Sequence, residues 1–258
     1  MYCDQLYKYN QENTLGGAAF FAVDGTWTEG TSTFTSKTAN LAILGGDADV
    51  DNFIQRTRSN LQDQRAIQVQ LKAKSVARKF EETFITGDTA VDANSFDGLR
   101  KQVAAGQTIT VSANGGPLTL SLLDQLIDLI LGTKPTLLLM SKRTRRKLKS
   151  LLQASAHYVE RGEEFGHQVM LYDGIPVEPS DWQPDTETQG TDTATSSIYA
   201  IHFDEGDGVV GLQNGGVEVI EVGQLQTKDA NRVRIRWYVS IAMLRDSALA
   251  RLKGISNA

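Results

Sequence analysis

Three sets of side chains in this 258-residue chain have the types and spacing for chemistry. Gly206, Gly208 and Gly211 fall in GDGVVG, which matches a dinucleotide fingerprint by its letters. That fingerprint works only when a helix follows at once, because the helix N-terminus receives the pyrophosphate. Here LQNGGVEVIEV follows, which reads as turn and strand, so the glycines are expected to serve a hairpin. Lys142, Arg143, Arg145, Arg146, Lys147 and Lys149 form the second set, a run of cations able to clamp phosphates. On a helix they spread over much of the circumference and leave Leu148, Leu151 and Leu152 to pack; most such runs are solvated or pair with neighbouring acids. His157, His167 and His202 are the third set. They lack metal-ligand spacing, and the single cysteine, Cys3, is far from them in sequence. No nucleophile–base constellation can be picked out among the many Lys, Asp and Glu. No catalytic, cofactor-binding or metal-ligating residue is therefore assigned, no cofactor is expected, and the chain does not read as an enzyme.

Composition narrows the partners. Forty per cent hydrophobic and 22% charged residues are ordinary for a globular chain of one large or two small domains. A formal net charge of −5 argues against nucleic-acid binding by the whole surface, though not by a patch. One cysteine excludes an intramolecular disulfide framework and fits a reducing cytoplasm. The apolar run Leu118–Leu131 carries Asp124 and Asp128 and is too short to span a bilayer. MYCDQLYKYN has no apolar core of a secretory signal.

The element that must organise the rest is the stretch Asp47 to Thr86, which contains neither Gly nor Pro. Asp47, Asp49 and Asp51 crowd its start, where carboxylates cap free N–H groups, and Gly87 stands where a left-handed C-terminal cap is wanted. Read as one helix it would be roughly 55–60 Å long. Its apolar stripe has a polar middle at Asn60, Gln62, Gln64, Gln68 and Gln70 that spoils a coiled-coil seam. An amphipathic helix lying across a sheet, in an elongated molecule of the kind that assembles, is the expectation.

Residues 1–46 read as a two-stranded arm with turns at Gly16–Gly17, Asp24–Gly25 and Gly30. Phe20, Phe21, Trp27 and Phe34 are scattered along it with no third strand, so a neighbouring subunit is the natural support. After the helix come a turn-rich loop, a short helix near Leu99–Ala105, a brief strand in QTITVSANGG, and a helix within Leu118–Leu131 that Thr119 or Ser121 can cap. Thr136–Met140 reads as a buried strand and Lys142–Leu152 as a helix capped by Ser141, a compact α/β subdomain. Pro176 and Pro179 suggest an edge strand, and Asp181–Ser197 an exposed loop. Arg232–Leu244 alternates strictly: Val233, Ile235, Trp237, Val239, Ile241 and Met243 face one way, and Arg232, Arg234 and Arg236 begin the other. The tail Asp246–Ile255 reads as a strand or a short helix.

In this order the elements resemble the HK97-fold major capsid proteins of tailed bacteriophages. The resemblance rests on NLAILGGDADVDNFI, on FITGD followed by FDGLRK, on PTLLLMSKRTRRKLKSLL, YDGIPVEPSD and SSIYAIHF, and on NRVRIRWYVSIAMLRDSALARLKGI. It implies an α+β fold: an E-loop hairpin at 1–46, a peripheral P-domain with its spine helix at 47–104, a compact α/β A-domain at 105–212, and P-domain strands at 213–258. It implies a structural shell protein, made in the bacterial cytoplasm and located in the virion, whose pentamers and hexamers enclose DNA without sequence-specific binding or membrane contact. Contacts between copies would run through the E-loop and the A-domain, with portal, scaffold and decoration proteins as further partners. Family members carry an N-terminal arm before the E-loop, and this chain begins inside the outgoing E-loop strand. Some members cross-link an E-loop lysine to a neighbour's asparagine, but Gly16–Gly30 holds no lysine, and Lys8 and Lys37 lie nearer the base. Two alternatives remain: an encapsulin-like compartment shell, and a nucleic-acid-binding protein using the basic helix 142–149.

Overall fold

A computed structural model of the chain describes residues 6–58, 63–155, 160–164 and 167–256. In chain order the elements are β1 (Leu6–Thr14), β2 (Thr33–Asn40), β3 (Ala42–Asp51), α1 (Asn52–Arg58), α2 (Gln64–Thr86), α3 (Leu99–Gln102) and β4 (Thr108–Thr110). Then follow α4 (Leu120–Asp128), β5 (Leu137–Ser141), α5 (Lys142–Ala154), β6 (Glu160–Glu164), β7 (His167–Tyr172), β8 (Ile175–Ser180) and β9 (Glu187–Gln189). Last come β10 (Asp192–Ile201), β11 (Val209–Gln224), β12 (Ala230–Met243) and β13 (Leu249–Ile255), with 3-10 turns at Ala105–Gln107 and Asp246–Ala248. This is an α+β fold in two compact units. One is built chiefly from Ala39–Lys101 and Gly211–Ile241, the other from Lys8–Thr38, Gln102–Val210 and Ala242 onwards.

The first unit is a helix on a three-stranded sheet of order β11-β12-β3. β12 and β3 pair antiparallel from Ala230↔Asp51 to Val239↔Ala42. Residues directly opposite share a face. Val233, Ile235 and Trp237 therefore lie with Ala48, Gly46 and Leu44, while Arg232 and Arg234 lie with Asp49 and Asp47. α2 covers the apolar face, where the Phe80 ring sits 4.7 Å from Trp237 and 5.9 Å from Phe96. The strict alternation of β12 holds only in its first half. From Val239 to Met243 every residue is buried, Ser240 and Ala242 included.

The single helix expected over Asp47–Thr86 does not form. The chain stays extended to Asp51, turns into the short α1, and starts α2 at Gln64 after the N-cap Asp63. α2 has 23 residues, about 35 Å, not 55–60 Å. The absence of Gly and Pro permits a helix without demanding one, and here cross-strand partners win. Asp47 and Asp49 sit opposite Arg234 and Arg232 in the ladder. Of the three aspartates expected to cap, Asp51 does so, for α1, and Asp63 caps α2. Asp51 accepts from the N–H groups of Phe53 at 2.8 Å and Ile54 at 3.3 Å, and Asp63 from those of Arg65 and Ala66. Asn60, Leu61 and Gln62 of the expected stripe lie outside the described residues.

Gly87 is not a left-handed cap either, since its φ is −52°. It is glycine because the chain approaches closely. An added Cβ would lie 2.4 Å from the Phe96 carbonyl oxygen and 2.5 Å from that of Thr83. Gly98 closes the same loop: its N–H donates to the Gly87 carbonyl at 3.0 Å, and a Cβ there would meet the Thr83 carbonyl oxygen at 2.4 Å.

The second unit is an eight-stranded sheet of order β4-β13-β10-β5-β8-β7-β6, with β9 paired to β10. Leu123 and Leu126 of α4 and Leu148 and Leu152 of α5 pack with Leu138, Met140, Val177, Ile198 and Leu252 from the strands. Thr119 caps α4 by accepting from the Leu122 N–H at 3.3 Å, and Ser141 caps α5 by accepting from Thr144 N–H at 3.1 Å. Two expectations change here, and the tail takes the first of its two expected forms. β8 is interior, parallel to β5 and antiparallel to β7. Its prolines are tolerated because the two ladders barely overlap: β7 pairs only Ile175–Val177, around Pro176, and β5 only Val177–Ser180, around Pro179. Asp181–Ser197 is not an exposed loop but carries β9 and most of β10. Thr186, Thr188, Thr191 and Thr193 stay exposed, but three hydroxyls are buried with partners: Thr195 donates to the Glu187 carbonyl at 2.8 Å, Ser196 to that of Pro184 at 3.1 Å, and Ser197 to the Glu187 carboxylate. The tail forms a 3-10 turn and then β13, which pairs with β10 and β4 and places Leu249, Ala250 and Leu252 in the core. β13 thus belongs to this sheet and not with the β11-β12-β3 strands.

Candidate assembly surfaces

The arm at the start of the chain is a two-stranded sheet of β1 and β2. The Thr14 and Thr33 hydroxyls meet at 2.5 Å, and the Gly16 N–H donates to Ser32 Oγ at 2.9 Å. Gly16, Gly17 and Gly30 let the strands leave the ladder in near contact, for a Cβ on Gly30 would lie 2.3 Å from the Gly17 carbonyl oxygen. Asp24, at φ 63°, turns the tip.

Among the described residues, this arm is tied to its own chain at Gln11 and Glu12. Gln11 is buried and its amide donates to Asp246 Oδ1 at 2.6 Å, while the Glu12 N–H reaches the Leu244 carbonyl at 3.4 Å. The tip has no such cover: Phe20 is 106% exposed, Val23 95% and Trp27 78%, and Leu15 and Phe34 are exposed as well. Phe21 and Trp27 stack on each other at 4.3 Å. A cluster of large apolar side chains on a narrow arm marks an interaction surface. It has no polar constellation for chemistry, only shape and apolar area.

The uncovered face of the β11-β12-β3 sheet is a ladder of ion pairs. Arg232 holds Asp49 bidentately at 2.7 and 2.9 Å, and Arg234 holds Asp47 in the same way at 2.7 and 2.9 Å. Lys228 also reaches Asp49, and Arg236 pairs with Glu218 at 2.8 Å. The Arg234 hydrogen bond lowers the Asp47 pKa, and the Arg232 and Lys228 bonds hold Asp49 well below the usual carboxylate range. Sequence reading missed these pairs, although the signal is present. DADVD and RVRIR place opposite charges at the two-residue spacing of a strand, which is how facing antiparallel strands match.

The sequence-highlighted residues scatter. In α5, Arg143 is structural: its guanidinium donates to the Ala194 carbonyl at 3.0 Å and lies 3.4 Å from Asp185. Lys142 pairs with Asp181 at the surface, while Arg145, Arg146 and Lys149 are exposed. In GDGVVG, Asp204 Oδ2 accepts from the N–H groups of Gly206 and Asp207, and β11 follows where a nucleotide loop needs a helix. His202 lies 3.5 Å from Asp207, which also pairs with Arg245 at 2.9 Å. His157 lies outside the described residues, as does Cys3. Among the described residues no helix is long and apolar enough to cross a membrane.

An aromatic arm with an exposed tip, a helix on a small sheet and an α/β unit are the parts of an HK97-like fold. The comparisons agree. A family model described as SU10 major capsid protein matches residues 18–256, and the chain belongs to that family. Its structure is similar to that of the SrpI encapsulin from Synechococcus elongatus PCC 7942, with a TM-score of 0.77 at 22% identity, over 99% of this chain and 84% of that one. It is similar to the capsid of a native GTA particle, with a TM-score of 0.71 at 16% identity, over 98% of this chain and 86% of that one. The Cyanophage A-1(L) capsid gives a TM-score of 0.69 at 12% identity, over 97% of this chain and 88% of that one. No curated protein matches. The chain is thus a major capsid protein by family, with a structural role in a virion shell.

Proposed function

We propose that copies of this chain form pentamers and hexamers that close into a phage-type head around DNA, and that the chain performs no chemistry of its own. The arm between β1 and β2 acts as the E-loop and lays its aromatic tip on an adjacent copy. The unit containing α2 acts as the P-domain. The unit containing the β13-β10-β5 sheet acts as the A-domain, whose loops gather around the capsomer centre. The observation that carries this reading is the exposure of Phe20 and Trp27 at the tip of the arm. Portal, scaffold and decoration proteins are the further partners expected, with synthesis in the bacterial cytoplasm.

The SrpI likeness favours a second reading, a compartment shell of the same fold enclosing protein. Electron microscopy of the purified full-length chain tests the first reading: closed shells built of five- and six-fold capsomers are expected, and a soluble monomer at high concentration would refute it. Nucleic acid inside shells isolated from the native source distinguishes a head from a protein compartment.

A further inference from the structure

We infer that the exposed arc of α5 is a contact for the phosphate backbone of double-stranded DNA, an inference that names a site within the head reading above. α5 carries six of the chain's 26 Lys and Arg and no Asp or Glu, in a protein of net charge −5. Three of the six are committed elsewhere: Arg143 to the Ala194 carbonyl and Asp185, Lys142 to Asp181, and the half-buried Lys147 to a partner of its own. Arg145, Arg146 and Lys149 remain exposed, and helical spacing puts them within about a third of the circumference.

This arrangement costs the isolated subunit stability. Arg145 and Lys149, and Lys142 and Arg146, are like charges four apart, each pair mildly destabilising. Cations also crowd the positive end of the helix dipole, with no acid in the first turn. A bound polyanion relieves both. A protein partner fits less well, because interface arginines work beside a core of apolar and aromatic side chains. The exposed arc offers no large apolar side chain: beside the three cations it shows Lys142 with its partner Asp181, Ser150 and Gln153, and Ala154 is exposed on the far side. The helix is also rigidly set, with Leu148 and Leu152 in the core and Arg143 tied to β10, so the cations are presented on a fixed base.

The test uses the disassembled full-length subunit, a duplex DNA of mixed sequence labelled with fluorescein, and anisotropy across a salt series. Three phosphate contacts give a slope of about −2.7 in log K against log salt, or about 40-fold weaker binding between 50 and 200 mM. The triple variant R145Q/R146Q/K149Q, with wild-type urea unfolding, is expected to flatten the slope by about 2–3 and to weaken binding at low salt at least about 10-fold. A control triple, R56Q/R58Q/R78Q on α1 and α2, should bind as wild type. Equal slopes in wild type and the α5 variant overturn the inference, and so does an equal loss in the control, which would indicate bulk charge. Failure of the folded α5 variant to assemble without nucleic acid also overturns it, by making the arc a contact between copies. Absence of wild-type shells in the microscope would instead strike the head reading, leaving a measured slope difference to stand on its own.

Discussion

Two tryptophans should separate folding from assembly. Trp237 is half-buried beneath α2, 4.7 Å from Phe80, and its indole N–H lies 3.3 Å from Gln213 Oε1. A fully buried tryptophan covers about 150–250 Å², or about 4–6 kcal/mol at 25 cal/mol per Å². The part-burial of Trp237 scales this to about 2–4 kcal/mol for Trp237→Ala. Trp27 is 78% exposed and touches Phe21, so Trp27→Ala should cost the subunit under about 1 kcal/mol. In the shell the order reverses. An aromatic anchor buried in a partner is commonly worth about 2 kcal/mol or more, which raises the concentration needed for assembly about 30-fold. Urea denaturation of disassembled subunits measures the first quantity, and light scattering against protein concentration the second. The reasoning fails if Trp27→Ala destabilises the subunit as much as Trp237→Ala does, or if it assembles at the wild-type concentration.

Acid should act through the sheet ladder. The folded-state pKa values of Asp47 and Asp49 are lowered, so the stability these carboxylates contribute is fully present above their unfolded pKa of about 3.9 and is lost as pH falls through the folded values. Unfolding followed from pH 6 to 2 should show a shallower acid loss in Asp49→Asn, and an unchanged profile would count against the ladder. Gly98→Ala should destabilise by about 1–3 kcal/mol, because its Cβ would press on backbone atoms of Thr83, Gly87 and Phe84; a neutral result in thermal denaturation would show that the loop moves freely. Gln68 and Gln70 are exposed on α2, so replacing both with Ala should shift subunit stability by under about 0.5 kcal/mol in the same assay.

Local pattern alone specified much of this protein. The strict alternation of Val233, Ile235 and Trp237 against three arginines required a strand with one apolar face. The serine before the basic run required a capped helix, and a hairpin with too little apolar area to hold itself pointed outward to another copy. The elements that sequence misplaced are those whose state depends on a distant partner. Nothing local in Asp47–Asp51 distinguishes a helix cap from a strand; Arg232 and Arg234, over 180 residues away in sequence, decide it by their bonds. Thr195, Ser196 and Ser197 read as loop because hydroxyls prefer water. They become core only when Glu187 and Pro184 supply the acceptors. Gly87 looked like a left-handed cap, but its need for glycine comes from the returning chain at Phe96. Propensity and periodicity are fixed by neighbours in sequence, whereas a strand's partner, a buried hydroxyl's acceptor and a close backbone approach exist only once the chain has folded back on itself.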